Sequence, residues 1–283
     1  MSKIQVNNIK KQFKEVWALD DVSIDFDENK IYGLLGRNGA GKSTLLNLIT
    51  NKIFPTSGEI LVDGENVMEN DNALGKIFCM CDKDLYPKEY TVKKAIKWAK
   101  VFYPEFDTEY ASKLCEKFSL SEKKRLKGLS TGYNSIFKII LALSANTPIV
   151  LFDEPVLGLD ANHRDMFYKE LIANYSENPR TIIISTHLIE EVSDVIEDVV
   201  IIKEGKKIMQ DSVDNILSRG YSISGSAKRI DEFIKDKDVI GIDSIGAFKT
   251  AHIMGKVNNS DIPDDLELTR LDLQKLFIQL TNS

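Results

Sequence analysis

Residues Gly36, Arg37, Asn38, Gly39, Ala40, Gly41, Lys42, Ser43 and Thr44 form a GxxxxGK[ST] loop. The chemistry open to that spacing is capture of a nucleoside triphosphate. Its glycines let successive backbone N–H groups turn inward around phosphate oxygens, and a helix starting there points its positive end at the same charge. Lys42 is the group that reaches the β- and γ-phosphates, and the Ser43 hydroxyl is a ligand for Mg²⁺. A second string, Ile149-Val150-Leu151-Phe152-Asp153-Glu154-Pro155, runs four apolar residues into two acids. Asp153 is suited to hold the metal, and Glu154 to orient and deprotonate an attacking water. Alone, such a pair reads as a solvated strand end. The phosphate loop in the same chain supplies its task.

These groups need rigid carriers. Ile31-Tyr32-Gly33-Leu34-Leu35 reads as a buried strand entering the loop, and Leu45, Leu46, Leu48, Ile49 and Ile53 follow at helical spacing. That strand–loop–helix setting argues against a mere glycine-rich turn. Short strands are expected at Ile4–Val6, Val22–Phe26 and Glu59–Val62. Helices are expected from Thr91, a plausible N-cap, and around Tyr110–Phe118. Ile149–Asp153 and Thr181–Ser185 look like parallel core strands separated by a helix. Val199–Ile202 and Lys206–Met209 read as a hairpin across Glu204-Gly205. Strands alternating with helices around a phosphate loop predict an α/β core. A boundary is expected near Ser212–Gly220. It separates a nucleotide-binding unit, 1–215, from a small C-terminal α+β unit, 216–283, with strands at Tyr221–Ser224, Val239–Ile245 and Phe248–Met254 and a final helix.

At 283 residues and 43% hydrophobic, the chain has material for a real core, and its net charge of −6 argues against bulk nucleic-acid binding. Cys79, Cys81 and Cys115 make neither a disulfide framework nor a zinc pattern, which fits free thiols in a reducing compartment. Met1–Gln5 lacks the apolar run of a signal peptide, and Ile136–Leu143 is too short to span a bilayer. Any membrane role is therefore expected to run through a partner.

Leu129-Ser130-Thr131-Gly132-Tyr133, lying shortly before the acidic strand end, resembles the signature of the ATP-binding cassette (ABC) family. The resemblance implies that Ser130 and Gly132 bind the γ-phosphate of ATP held by an opposite subunit. The usual form is Leu-Ser-Gly-Gly-Gln, so this copy departs at Thr131 and Tyr133. Leu157-Gly158-Leu159-Asp160 is similar to the family's D-loop, and Ser185-Thr186-His187 to the segment carrying its switch histidine, which implies that His187 contacts the γ-phosphate. His163 and His252 are assigned no role. Phe13 stands where the family stacks an aromatic on adenine, with Trp17 as its rival. A glutamine that the family puts about where Cys81-Asp82 stands is missing, which bears on coupling and on hydrolysis rate.

The resemblance covers residues 1 to about 215. It implies a P-loop NTPase of ABC type, with an antiparallel β subdomain and a helical subdomain at about 82–130. Thr91–Asp107 is similar to ABC-2-type exporter ATPases of Gram-positive bacteria, the Ytr-like and phenol-soluble-modulin exporter group. The expected function is hydrolysis of ATP, with Mg²⁺, in a dimer of two ATP-binding subunits, identical or not. That dimer would drive separate transmembrane permease subunits; Leu85, Tyr86, Pro87 and Val92 are candidates for that contact, the other reading being that they pack the subdomain internally. The chain would then sit in the cytoplasm, peripheral on the inner face of the membrane. The alternative is a non-transport or slowly hydrolysing ABC ATPase acting as a nucleotide-gated regulatory module. Lys123-Lys124-Arg125 and Lys127 form a small basic run near this subdomain.

Overall fold

In the computed structural model, residues 3–81, 83, 85–257 and 262–282 are described. β1 (Ile4–Phe13) and β2 (Val16–Phe26) form a hairpin. Both are longer than the stretches their alternation suggests. The register shifts between Val6 and Ile9, where Asn8 takes a left-handed φ of 48°. A bulge there resets which face each side chain meets and breaks the period of two.

β3 (Ile31–Leu35) is buried at every residue and feeds the phosphate loop and α1 (Lys42–Ile49). Next come β4 (Ser57–Val62), β5 (Glu65–Asn66), α2 (Asp71–Leu74) and β6 (Ile77–Met80). A helical region holds α3 (Val92–Phe102), α4 (Thr108–Lys117) and a 3-10 turn, Leu126–Gly128, before α5 (Thr131–Ser144). The Thr91 side chain caps α3 by accepting from the Lys94 N–H at 3.2 Å. The chain continues through β7 (Ile149–Asp153), α6 (Ala161–Glu177), β8 (Thr181–Thr186), α7 (Ile189–Val192), β9 (Asp198–Lys203) and β10 (Lys206–Ser212).

The central sheet has the order β10-β9-β3-β8-β7-β6, with β10 alone running antiparallel to its neighbour. Its parallel strands are continuous apolar runs because helices and the second sheet cover both faces. That second sheet, β2-β1-β4-β5, encloses a core with α1. Register matters most for chemistry. Leu35 pairs with Thr186, and Asp153 with Ser185. The phosphate loop, the acidic pair and the His187 segment therefore leave the sheet side by side at the carboxyl ends of its strands, where ligands of open α/β sheets bind.

The segment expected as a boundary carries α8 (Val213–Arg219). Beyond it lie β11 (Gly220–Ser226), α9 (Ala227–Phe233), β12 (Asp238–Ile245), β13 (Phe248–Met254), β14 (Glu267–Arg270) and α10 (Leu273–Asn282). The strands join in the order β12-β13-β11-β14 over a small core of Tyr221, Ile223, Ile230, Ala251, Ile253 and Leu266. α10 turns back: Leu273, Leu276 and Phe277 belong to the large core beneath the central sheet.

Candidate functional site

Gly41 shows why the loop needs glycine. Its φ is 113°, and a Cβ there would stand 2.6 Å from the Ala18 carbonyl of β2. The loop can therefore lie flat on the β1–β2 hairpin and open α1 at Lys42. Lys42 is only 6% exposed. Its ammonium donates to Gly36 O at 2.6 Å and Arg37 O at 3.4 Å, and lies 3.7 Å from Glu154 Oε1. Burial holds its pKa below the ordinary lysine value against the pull of the Glu154 and Asp153 carboxylates. Arg37, Asn38 and Gly39 form the exposed rim, Ala40 and Gly41 the buried base, and Ser43 and Thr44 the first turn of α1.

Asp153 Oδ1 accepts from Ser43 Oγ at 3.1 Å and from Ser185 Oγ at 3.0 Å. Burial raises its pKa, and the two hydroxyls oppose that shift. A largely buried carboxylate facing a hydroxyl is a hard oxygen pair, the donor set Mg²⁺ accepts. Among the described residues no cluster of three or more His, Cys, Asp or Glu could hold a metal by itself. The residues fit an ion that keeps water and phosphate oxygens as its remaining ligands.

Glu154 has a left-handed φ of 48°, a position that costs a non-glycine residue on the order of 1 kcal/mol. Its N–H donates to Ser185 O at 2.9 Å. Its carboxylate accepts from Thr186 Oγ1 at 3.1 Å and meets His187 Nδ1 at 2.9 Å. Backbone and side chain are thus fixed from β8, and the carboxylate is aimed back at Lys42. Ser185 and Thr186, which the sequence marks only as the lead-in to His187, take part in the site themselves. The available signal was a pair of hydroxyls ending one apolar run beside another run ending in acids.

Ser130 caps α5, accepting from the Tyr133 N–H at 3.4 Å. A Cβ on Gly132 would stand 2.8 Å from Gly158 O, and Ser135 Oγ donates to Leu157 O at 3.2 Å. The Leu129–Tyr133 segment therefore rests on the turn after β7. Among the described residues no hydrogen bond or ion pair joins Ser130 or Gly132 to Gly36–Thr44. Lys42, Ser43, Asp153, Glu154 and His187 come together in one site, and Ser130 and Gly132 stand apart from it.

Phe13 and Trp17 both sit on the hairpin behind the loop, 47% and 45% exposed, with Lys11 Nζ 4.9 Å from the Phe13 ring centre. Lys10 Nζ lies 5.9 Å from the Trp17 ring centre. Asp82 lies outside the described residues, while the Cys81 carbonyl accepts from Lys138 Nζ at 2.9 Å. His163 meets Asp160 Oδ2 at 2.9 Å, and His252 bridges Ser222 and Asp243 at 2.8 and 2.9 Å.

α10 borders the site on two sides. Arg37 donates to Asn282 Oδ1 at 3.4 Å beside a cavity of about 250 Å³ that the phosphate-loop rim shares with Thr281. A second cavity, of about 190 Å³, lies between His187–Glu191 and Gln274, Phe277 and Ile278.

A profile of the ABC transporter family matches residues 19–157. The chain is 32% identical over 189 residues to the ABC transporter ATP-binding protein YtrB of Bacillus subtilis; the match spans 67% of this chain and 65% of that one. It thus covers less than two thirds of that relative's length. The chain is 30% identical over 212 residues to the ABC transporter ATP-binding protein NatA of Bacillus subtilis, covering 72% and 85%. It is 24% identical over 281 residues to the bacitracin transport ATP-binding protein BcrA of Enterococcus faecalis, covering 95% and 91%. In fold it is similar to the dimeric ATP-binding cassette MJ0796, solved in a post-hydrolysis state with ADP and Pi. The TM-score is 0.66 at 23% identity, over 74% of this chain and 98% of that one.

Proposed function

The chain belongs to the ABC transporter family of ATP-binding proteins, and on that premise we propose that it hydrolyses ATP to drive separate membrane-spanning subunits. The observation that carries this reading is Glu154, held by Thr186 and His187 and turned toward Lys42. The triphosphate lies along 36–44, where Lys42 meets its β- and γ-oxygens, and Phe13, or Trp17 in its place, stacks on adenine. Ser43 and Asp153 would hold Mg²⁺, which when bound would neutralise charge on the phosphate oxygens. Glu154 takes a proton from the attacking water as its oxygen bonds to the γ-phosphorus. The bond to the β-phosphate oxygen breaks, and ADP and phosphate leave. His187 keeps the Glu154 carboxylate oriented and presents its other ring nitrogen to the γ-phosphate.

Ser130, exposed, and Gly132, half-buried, stand at the start of α5 unconnected to their own phosphate loop, and are read as the lid over ATP on a second subunit. The dimeric MJ0796 fold supports that arrangement. Export is the direction we favour, on the likeness to a bacitracin transport protein along 95% of the chain. Residues 1–215 form the nucleotide unit in this reading, with its helical subdomain at about 82–130 facing the permease, and 216–283 an accessory unit. Among the described residues no helix is long and apolar enough to cross a membrane, so the seat at the inner membrane face comes through partners. The second reading, a slowly hydrolysing nucleotide-gated module, is favoured by Cys81-Asp82 standing where the family's glutamine is expected.

The two readings part on turnover. Purified protein with ATP and Mg²⁺ is expected to release phosphate, and Glu154→Gln to cut the rate by about 10²–10⁴-fold with ATP still bound. Turnover that survives Glu154→Gln sinks the assignment of the base. Binding with negligible wild-type turnover selects the gated module.

A further inference from the structure

α3 buries Val92, Ala95, Ile96 and Ala99 along one face. At 100° per residue, its outward half divides into two flanks. Lys93, Lys97 and Lys100 occupy one flank, and Trp98 and Phe102 the other, with Lys94 and Val101 along the middle. Trp98 is 40% exposed, Val101 66% and Phe102 67%, and the two rings stack on each other at 6.1 Å rather than on the core.

The charge is one-sided. Tyr90–Pro104 contains four lysines and no acidic residue, in a chain of net charge −6. None of the four lysines pairs with a carboxylate among the described residues: Lys94 lies 3.8 Å over the Tyr90 ring and Lys100 donates to Pro104 O. Lys93 and Lys94 stand in the first turn, against the positive end of the helix dipole, and no acid there offsets them. Folding alone gives no reason for that arrangement. The basic run lies alongside, since the Val92 N–H donates to Lys124 O and Thr91 bridges Arg125.

We propose that the outward face of α3 docks directly on an anionic lipid headgroup surface, independently of any permease contact. Lipid phosphates meet the lysine flank, and Trp98 and Phe102 enter the boundary between headgroups and acyl chains. A helix lying in that boundary needs this division of basic and aromatic flanks. An acidic protein partner would satisfy the lysines but leave the stacked ring pair without a role.

The test is co-sedimentation of the full chain with vesicles of phosphatidylcholine, with or without roughly one third phosphatidylglycerol. Binding is expected only to the anionic vesicles, and it should weaken steeply as salt rises. Replacing Lys93, Lys94, Lys97 and Lys100 with Gln should lower partitioning about 100-fold or more, since each lysine near an anionic surface is worth roughly a fivefold factor. Phe102→Ser, which keeps every charge, should weaken it several-fold. The chain has two tryptophans, so Trp17→Phe leaves Trp98 as the sole reporter, and its emission should shift blue on anionic vesicles alone. Equal binding to neutral vesicles, full binding by the lysine variant, or an unmoved Trp98 emission overturns the proposal. Capture of an acidic peptide with vesicles ignored overturns it too and assigns the face to a protein partner.

Discussion

Cys81 directly follows β6, the strand next to the one that presents Asp153, and its environment makes it an unusual thiol. The neighbouring Cys79 thiol and the nearby Lys52 ammonium hold its pKa below the ordinary thiol value, while Cys79 is pushed up in turn. The Cys81 thiolate therefore forms at lower pH than that of an ordinary thiol, which between about pH 6 and 8 gains roughly tenfold in thiolate per unit. Alkylation of Cys81 by iodoacetamide, followed by peptide mass spectrometry, is expected to be faster than that of an ordinary thiol and to rise less steeply across that range. Cys115, pushed up to about 12 by burial, should stay nearly inert. A Cys81 rate that climbs tenfold per pH unit would contradict this account. Residue types and spacing pointed to Lys42, Ser43, Asp153 and Glu154, because each follows an apolar run at a set offset, and the family resemblance added His187. The roles of Ser185 and Thr186 were not legible: a hydroxyl becomes a partner only once two strands are in register, and register is not written in either strand alone.

At the scale of elements, the start of α5 is locked to the turn after β7 by the closeness of two glycines. Gly132→Ala puts a Cβ 2.8 Å from the backbone oxygen of Gly158, which cannot rotate away. An overpacking cost of about 1–3 kcal/mol is expected, read as a melting point lowered by several degrees. Because the same turn follows Glu154, ATP turnover should fall as well. An unchanged melting point would show that α5 and the turn separate freely. Strongly patterned elements were the legible ones: the run into the phosphate loop, the Thr91 cap and the β9–β10 hairpin. Those missed are short or interrupted. β6 is four residues long, β14 likewise, and the β1–β2 bulges hide one hairpin inside two short strands. α8 falls where a boundary was expected, and Ser212 caps it by accepting from the Asn215 N–H.

On the scale of the whole molecule, the separation of Ser130 from Lys42 sets the prediction. Ser130→Arg is expected to leave ATP binding to the single chain intact and to block ATP-driven association, followed by light scattering in a Glu154→Gln background. Association that persists with arginine at 130 would refute the composite site. The sequence favours Phe13 over Trp17 for adenine, and the fold puts both rings at one exposed hairpin end. The turning-back of α10 carries a different consequence. One helix contacts the phosphate-loop rim through Asn282, lines a cavity with the His187 segment through Gln274, and shares the large core through Phe277. Coupling free energies are reciprocal. If ATP tightens those two borders, it must slow amide exchange in β11–β14 during hydrogen–deuterium measurements. By the same thermodynamic cycle, a ligand that grips this distal sheet more tightly when ATP is bound must raise ATP affinity by an equal factor, which makes the sheet a gauge as well as an appendage.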